Sequence, residues 1–591
     1  MEPWLASTIT HYEPMVKSIG VELFLVAELI FAGASVMAML PSRARWPLTL
    51  PDFALPGLFL AAAFAETWSL FGGLMPWANV ALLLIVTIVA VTRWRAFLGL
   101  LGDAIRDTRA GNLLLLVPCL AVGAANALTN GFCHDTLLYH LAAIRWVADF
   151  GSVPGLANLH GRFGFNSALH PLTALFGWPF GIEVGREYIN PTIILSVCAA
   201  LLQGVRLRPK EFFTPSSIYA CLLFVLGFRL LFSDCFSSPQ PDVAGAGLAL
   251  LVAWHLREVI QELAPERQVG AFLTCLMAGA LVLTFKLSYA VLGIVAAGVA
   301  IGIVFFHGRR LRLIFAGLIM VCVFSAPWLC RGYITSGYPF YPSDLGRINF
   351  DWAVPAETAL VEKNWILSWG REPYQDVRLV LKDDTWFWPW VATTLGDSIF
   401  RKSALLAAAG LIIVALTRPW LYRKDSWWRW CLLISPVILS VLFWFETAPD
   451  PRFAEGTLWI LAADVAYLAF AGRENVNRFA RAFLAVVIAG LLLLDSVNGF
   501  ARLVKEPERF PNYVGAPVPM VSELTYSGLK VWVPAEGELA GPWTIPATPP
   551  DRFDPRLELR GQTLREGFRM NLSWPKPKWK NGRMLPADAG Q

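Results

Sequence analysis

GAFLTCLMAGALVLTFKLSYAVLGIVAAGVAIGIVFF, from Gly270 to Phe306, contains a single charged residue, Lys286. On each side of that lysine runs an apolar segment of the ~20 residues needed to cross a hydrocarbon core of about 30 Å. The stretch reads as two membrane helices joined by a turn near Ser288. Similar segments fall at 20–40, 55–73, 76–92, 112–129, 189–204, 215–232, 242–259, 312–330, 403–417, 430–445, 456–471 and 482–497. Together they predict about fourteen transmembrane helices (12–14). The chain is 56% hydrophobic and 16% charged, with a mean hydropathy of +0.52. Soluble domains carry about 25% charged residues. Closed barrels announce themselves by alternation in segments of about ten residues, which is missing here. The expected fold class is an all-α polytopic membrane protein.

Arginine and lysine then orient the helices. Arg43 and Arg45 follow the first, Arg93 and Arg95 the third, Arg206 and Arg208 the fifth, and Arg257 and Arg267 the seventh. Arg309 and Arg310 follow the ninth, Arg418 and Arg423 the eleventh, and Arg473 and Arg478 the thirteenth. Loops after odd helices are thus expected in the cytoplasm, and the intervening ones outside. The outer mass is loops 130–188 and 331–402 and the tail 498–591. That tail is rich in Pro, Gly and charge, with a strand-like run at Leu529–Val533, and predicts a small external α/β or β domain. The N-terminus has no basic region and its first apolar run is full length, so no cleavable signal peptide is expected. No repeat shows at any short period. The net charge of +5 is small for this length and does not suggest nucleic acid. Nine cysteines show no CxxC spacing. Cys133 and Cys235 both fall in outer loops, where a disulfide is available to them.

The chemistry concentrates in NGFCHDTLLYHLAAIRWVADFGSVPGLANLHGRFGFNSALHP, residues 130–171. It holds His134, His140, His160 and His170, four of the seven histidines, with Asp135, Arg145, Asp149 and Arg162. Asp135 opens an amphipathic pattern, Leu137, Leu141, Ile144 and Ala148, expected to lie along the outer membrane surface. Asp directly before such a run is also a strong helix-cap signal. Tyr139 and His140 crowd the same end, and His160, Arg162 and Asn166 follow. The histidines match no named metal spacing. The sequence requires no cofactor and leaves a divalent cation open.

Further groups lie in the other outer loops. Asp234 and Asp242 sit in SDCFSSPQPDVAGAG, where Asp242 reads equally as a cap. Lys286 snorkels or meets an anion. Arg331 and Arg452 suit bidentate phosphate recognition, or a salt bridge to nearby acids. Glu22, Glu28, Glu66, Asp464 and Asp495 fall inside predicted helices, where ionisable groups are functional by default. They do not occupy corresponding positions of two halves, as in a transporter built on repeats.

DTLLYHLAAIRW, LANLHGRFGFNSALHP, SSPQPD, FKLS, RGYITSGYPFYP and PDPRF, in that order, resemble the GT-C superfamily of integral-membrane glycosyltransferases. More narrowly they look like a bacterial multi-pass GT-C-like family of unassigned substrate. The resemblance spans about 112–460. In typical members the acidic loop follows the first helix; here three extra helices, within 1–111, precede a GT-C-like module at 112–497. The resemblance implies a polyprenyl-phosphate sugar donor entering from the membrane lipids. It also implies a glycan, lipid or protein acceptor on the periplasmic side of a bacterial inner membrane. Asp135 would act as base. Lys286, Arg331 and Arg452 would hold the lipid phosphate. His134, Tyr139, His140, His160, Arg162, Asn166, Asp234 and Asp242 would bind substrate. Two rival readings share this topology: a transporter or flippase of a lipid-linked glycan, and a glycan polymerase or ligase.

Overall fold

Apolar runs become helices because a helix satisfies every backbone polar group within its own segment. The computed structural model describes residues 3–41, 45–46, 48–128, 133–177, 182–212, 214–233, 235–261, 265–308, 310–416, 427–468, 518–580 and 583–585, with 490, 493 and 497 as single positions. The first half of the chain supplies α1 (Pro3–Met39), α2 (Ala54–Ser69), α3 (Trp77–Thr92), α4 (Trp94–Asp107), α5 (Leu116–Leu128), α6 (Leu141–Phe150), α7 (Leu169–Phe176), α8 (Ile182–Gly204), α9 (Pro215–Leu230) and α10 (Pro241–Gln261). The second supplies α11 (Pro265–Phe285), α12 (Ala290–Gly308), α13 (Leu311–Ser336), α14 (Ala356–Arg371), α15 (Phe387–Gly396), α16 (Ser398–Leu416), α17 (Trp427–Thr447) and α18 (Glu455–Leu468). Each segment expected from the sequence falls on helix except 482–497, which lies almost wholly outside the described residues.

Forming a helix and crossing a bilayer are separate matters. Among the described residues, seven helices are long and apolar enough to cross: Met15–Met39, Ala110–Ala127, Pro241–Gln261, Glu266–Phe285, Leu287–Gly308, Leu311–Ser336 and Trp427–Thr447. The pair α3 and α4, bent by 94°, makes an eighth if taken as one span. The other helices fall short for visible reasons. With 16 residues, α2 reaches only about 24 Å at 1.5 Å per residue. α8 opens on Glu183, Arg186 and Glu187. α18 has 14 residues and carries Glu455 and Asp464. On α13, Phe315, Ile319 and Val323 stand exposed at helical spacing, a face suited to lipid. The chain is a mostly helical, multi-pass membrane protein.

The segment after Asp135 departs from expectation. It begins as one turn of π-helix, Thr136–His140, and only then continues as α6. It does not lie bare on a membrane surface, because it is apolar on two faces. Leu141, Ile144 and Val147 pack into the helical core. Tyr139, Ala142 and Trp146 bury against the C-terminal region instead.

That region is built from two-stranded antiparallel ladders. β1 (Met520–Leu524) pairs with β2 (Lys530–Pro534), β3 (Leu557–Leu559) with β4 (Phe568–Met570), and β5 (Lys578–Lys580) with β6 (Arg583–Leu585). The expected strand run is β2, whose Val531 and Val533 alternate inward. Val531, Val533, Phe553, Leu557 and Phe568 share one core with Tyr139, Trp146 and Phe163. Two glycines allow the close approach. Gly155 (φ +65°) and Gly567 (φ +93°) both adopt the left-handed region, and the Phe568 amide donates to the Pro154 carbonyl at 2.9 Å.

Candidate functional site

A disulfide and a set of polar contacts bring two loops together. Cys133 and Cys235 are joined across 102 positions. Beside them, the Thr136 and Ser238 hydroxyls meet at 2.6 Å, and Asn190 Nδ2 donates to the Ser238 and Gln240 carbonyls. The loop bearing Asp135 is thereby fixed against the loop leading into α10, whose second residue is Asp242.

Asp135 is not a helix cap, since its side chain makes no capping hydrogen bond. Its carboxylate lies between two guanidinium groups. Arg162 Nη1 donates to Oδ1 at 2.9 Å, and Arg452 Nη2 to Oδ2 at 3.3 Å. The Asp135 side chain is 20% exposed, Arg162 8% and Arg452 38%. Arg452 is therefore the partner with room to move. It is carried by a short turn whose start Asp450 caps, accepting from the Arg452 amide at 2.9 Å. Burial alone would lower the Arg452 pKa, but Asp242, Asp135 and Asp450 around it carry it upward. Burial raises Asp450 itself above the ordinary carboxylate range, against the pull of Arg452.

Lys286 does not snorkel. It is ion-paired with Asp242, and both side chains are largely buried. Its ammonium lies 4.4 Å from the Phe453 ring centre, and the Arg452 guanidinium lies 5.0 Å from the same ring. One phenyl ring thus faces two cations, each paired with a different aspartate. Asp135, Asp242, Lys286 and Arg452 form one cluster from four separated segments of the chain.

Arg162, the other partner of Asp135, is more constrained than Arg452. Its plane stacks over Trp365 at 4.6 Å and faces Tyr139 at 5.4 Å. Its Nε lies 3.7 Å from the buried Glu362 carboxylate on α14. Glu362 in turn accepts from Arg552 of the C-terminal region at 2.5 Å. Glu362, Trp365 and Arg552 carried no motif. The only available signal was helical spacing, which puts Glu362, Trp365 and Trp369 on one face of α14.

Most of the remaining residues singled out in the sequence have partners within the protein; the buried Glu22 keeps an Oε1 without a hydrogen bond. His140 Nδ1 and His170 Nε2 share a hydrogen bond of 2.9 Å, and both rings are buried. Burial pushes His140 down to about 3 and His170 well below its usual value. His160 accepts from the Arg162 amide through Nδ1 at 3.0 Å, and burial lowers it too. Burial raises Tyr139, with the Asp135 charge adding to it. His134 meets Glu538 of the C-terminal region at 2.9 Å. Asn166 and Trp328 exchange hydrogen bonds, each donating to the other's carbonyl. Arg331 stands apart from the cluster. It faces Glu66 on α2 at 3.0 Å and the Ser167 carbonyl at 3.2 Å, deep in the helical core. Glu28 accepts from Asn79, and Asp464 from Tyr219. Asp234 and Asp495 lie outside the described residues. Among the described residues, no three His, Cys, Asp or Glu side chains are grouped to hold a metal ion.

What the cluster can do follows from its charges. It presents a partly exposed carboxylate beside a half-exposed arginine and a largely buried lysine. That set suits an anionic group that competes for the cations and a hydroxyl that approaches the carboxylate. No curated protein and no solved structure matches the chain. A family model does match, described as a domain of unknown function (DUF8201), over residues 15–459, and the protein belongs to that family.

Proposed function

We propose that the protein is a GT-C-type glycosyltransferase. It moves a sugar from a polyprenyl-phosphate donor to a glycan, lipid or protein acceptor on the outer side of a bacterial inner membrane. In this reading all fourteen apolar segments cross, and the active site and C-terminal region face the periplasm. The observation that carries the reading is the Asp135 carboxylate held between Arg162 and Arg452, next to the Lys286–Asp242 pair. A disulfide beside it suits an oxidising compartment.

The chemistry runs as one displacement. With no donor bound, Arg452 occupies Oδ2 of Asp135. A lipid phosphate draws Arg452 and Lys286 toward itself and frees that oxygen. The acceptor hydroxyl gives its proton to Asp135 as its oxygen attacks the anomeric carbon. The bond from that carbon to the phosphate oxygen breaks, and its electron pair stays on the phosphate. Attack on the opposite face inverts the anomeric centre. The two cations stabilise the departing charge, so no general acid is needed. The test is transfer from a lipid-linked sugar by purified protein and its Asp135→Asn form. A positioned base contributes roughly 10²–10⁴-fold, and a loss of that size is expected. Wild-type transfer by the Asn form would remove Asp135 from the mechanism.

A further inference from the structure

We infer that the C-terminal region forms a working wall of this site, and that Arg552 and Glu362 are positioning residues for Arg162. The inference rests on the reading of Asp135 as the reacting group, and adds a role for a region that carries no motif.

Four side chains of alternating charge run from the region to the cluster. Arg552 Nη1 lies 2.5 Å from Glu362 Oε2, Glu362 Oε1 lies 3.7 Å from Arg162 Nε, and Arg162 Nη1 lies 2.9 Å from Asp135 Oδ1. Glu362 is the hinge of the arrangement. Its side chain is 2% exposed, and a carboxylate so deeply placed needs compensation. Two arginines give it that, one from each side. Without Arg552, all of that demand falls on Arg162. Glu362 would then compete with Asp135 for the same guanidinium.

Backbone contacts show that the region is seated for this role. The Gly541 amide donates to the Leu137 carbonyl at 2.9 Å, two residues past Asp135. Arg145 donates to the Pro542 carbonyl at 3.3 Å. The ion-pair chain therefore stands on a docked surface with its own buried core. Trp365 and Tyr139 flank the Arg162 guanidinium, so with Arg552 gone a small shift toward Glu362 is the movement left to it.

The experiment uses the full chain in nanodiscs, with Arg552→Gln, Arg552→Lys, Glu362→Gln and the double Glu362→Gln/Arg552→Gln. Misplacing a reacting group by about 1 Å costs roughly 10²-fold, so a kcat loss of up to that size is expected for R552Q. Donor KM should hold, because Lys286 and Arg452 are untouched. R552K should regain most of the loss, and the double variant should be no worse than R552Q alone. Wild-type kcat in R552Q, or a loss that R552K does not regain, overturns the inference. If the wild-type protein transfers nothing, the glycosyltransferase reading fails and amide exchange decides this one. R552Q should then exchange several-fold faster across 159–166, with α10 unchanged and R552K restored. Unchanged exchange across 159–166 in R552Q overturns the inference by that route.

Discussion

Asp135 and Arg452 stand 317 positions apart in the chain, yet Arg452 Nη2 lies 3.3 Å from Asp135 Oδ2. Arg452 is the more exposed of the two. An ion pair of that exposure contributes about 0–1 kcal/mol. Arg452→Ala is therefore expected to leave the thermal midpoint nearly unchanged while raising donor KM at least about tenfold, in line with a lost charged hydrogen bond of ~1.5–3 kcal/mol. Kinetics and a melting curve on the same sample check this. A large fall in stability would mean that Arg452 is structural.

Arg331 should behave in the opposite way. It and Glu66 pair inside the helical core. Removing one partner of a buried pair costs about 3–5 kcal/mol. Arg331→Gln should lower stability strongly and leave donor KM alone. The double change Arg331→Met/Glu66→Leu should recover much of the loss, since an apolar pair leaves no orphaned charge. Thermal unfolding in detergent, with KM alongside, separates the two arginines.

The buried histidines set an acid limit. His140 is held down to about 3 by burial, whereas an unfolded histidine titrates near 6.5. The unfolded chain then binds more protons between those values. Stability is full above about pH 6.5 and falls as pH drops, by on the order of 1 kcal/mol per pH unit from His140 alone. The His140–His170 bond sharpens this, because one ring must keep a lone pair to accept. Melting temperatures should be level from pH 8 to 6.5 and decline toward pH 5. A level profile down to pH 5 would contradict the burial of these rings.

The disulfide makes a fourth prediction. Non-reducing peptide mapping should recover Cys133 linked to Cys235, with Cys119, Cys198 and Cys275 as thiols. Cys133→Ser/Cys235→Ser should cost about 2–5 kcal/mol. It should also lower transfer, because Asp135 lies two residues from the bridge. Transfer at full rate in the double serine form would show that the tether is dispensable.

Helix positions were legible because apolar runs leave a bilayer protein little choice of backbone. Crossing was less so, because a 14-residue helix such as α18 and a 21-residue one such as α10 are both largely apolar. In the site, Asp135, Asp242, Lys286 and Arg452 stood out as charges next to apolar segments, and they do converge. The crowded histidines also find partners within the fold: His134 meets Glu538, His140 and His170 bond to each other, and His160 accepts from the Arg162 amide. Glu362 and Arg552 were invisible for a physical reason. Each is an ordinary surface-type residue in its own segment, and the two meet only because segments 190 positions apart come together.

Order of synthesis gives the docking of the C-terminal region a consequence. The ribosome makes Asp135 long before Arg552. A product cut short after α18 would keep the helices described here but lack the surface that covers Tyr139 and Trp146. Such a fragment would sit in the bilayer with an apolar flank uncovered, marked for quality-control proteases by what it failed to bury. Competence can thus come only after the C-terminal region has been made and has covered that flank.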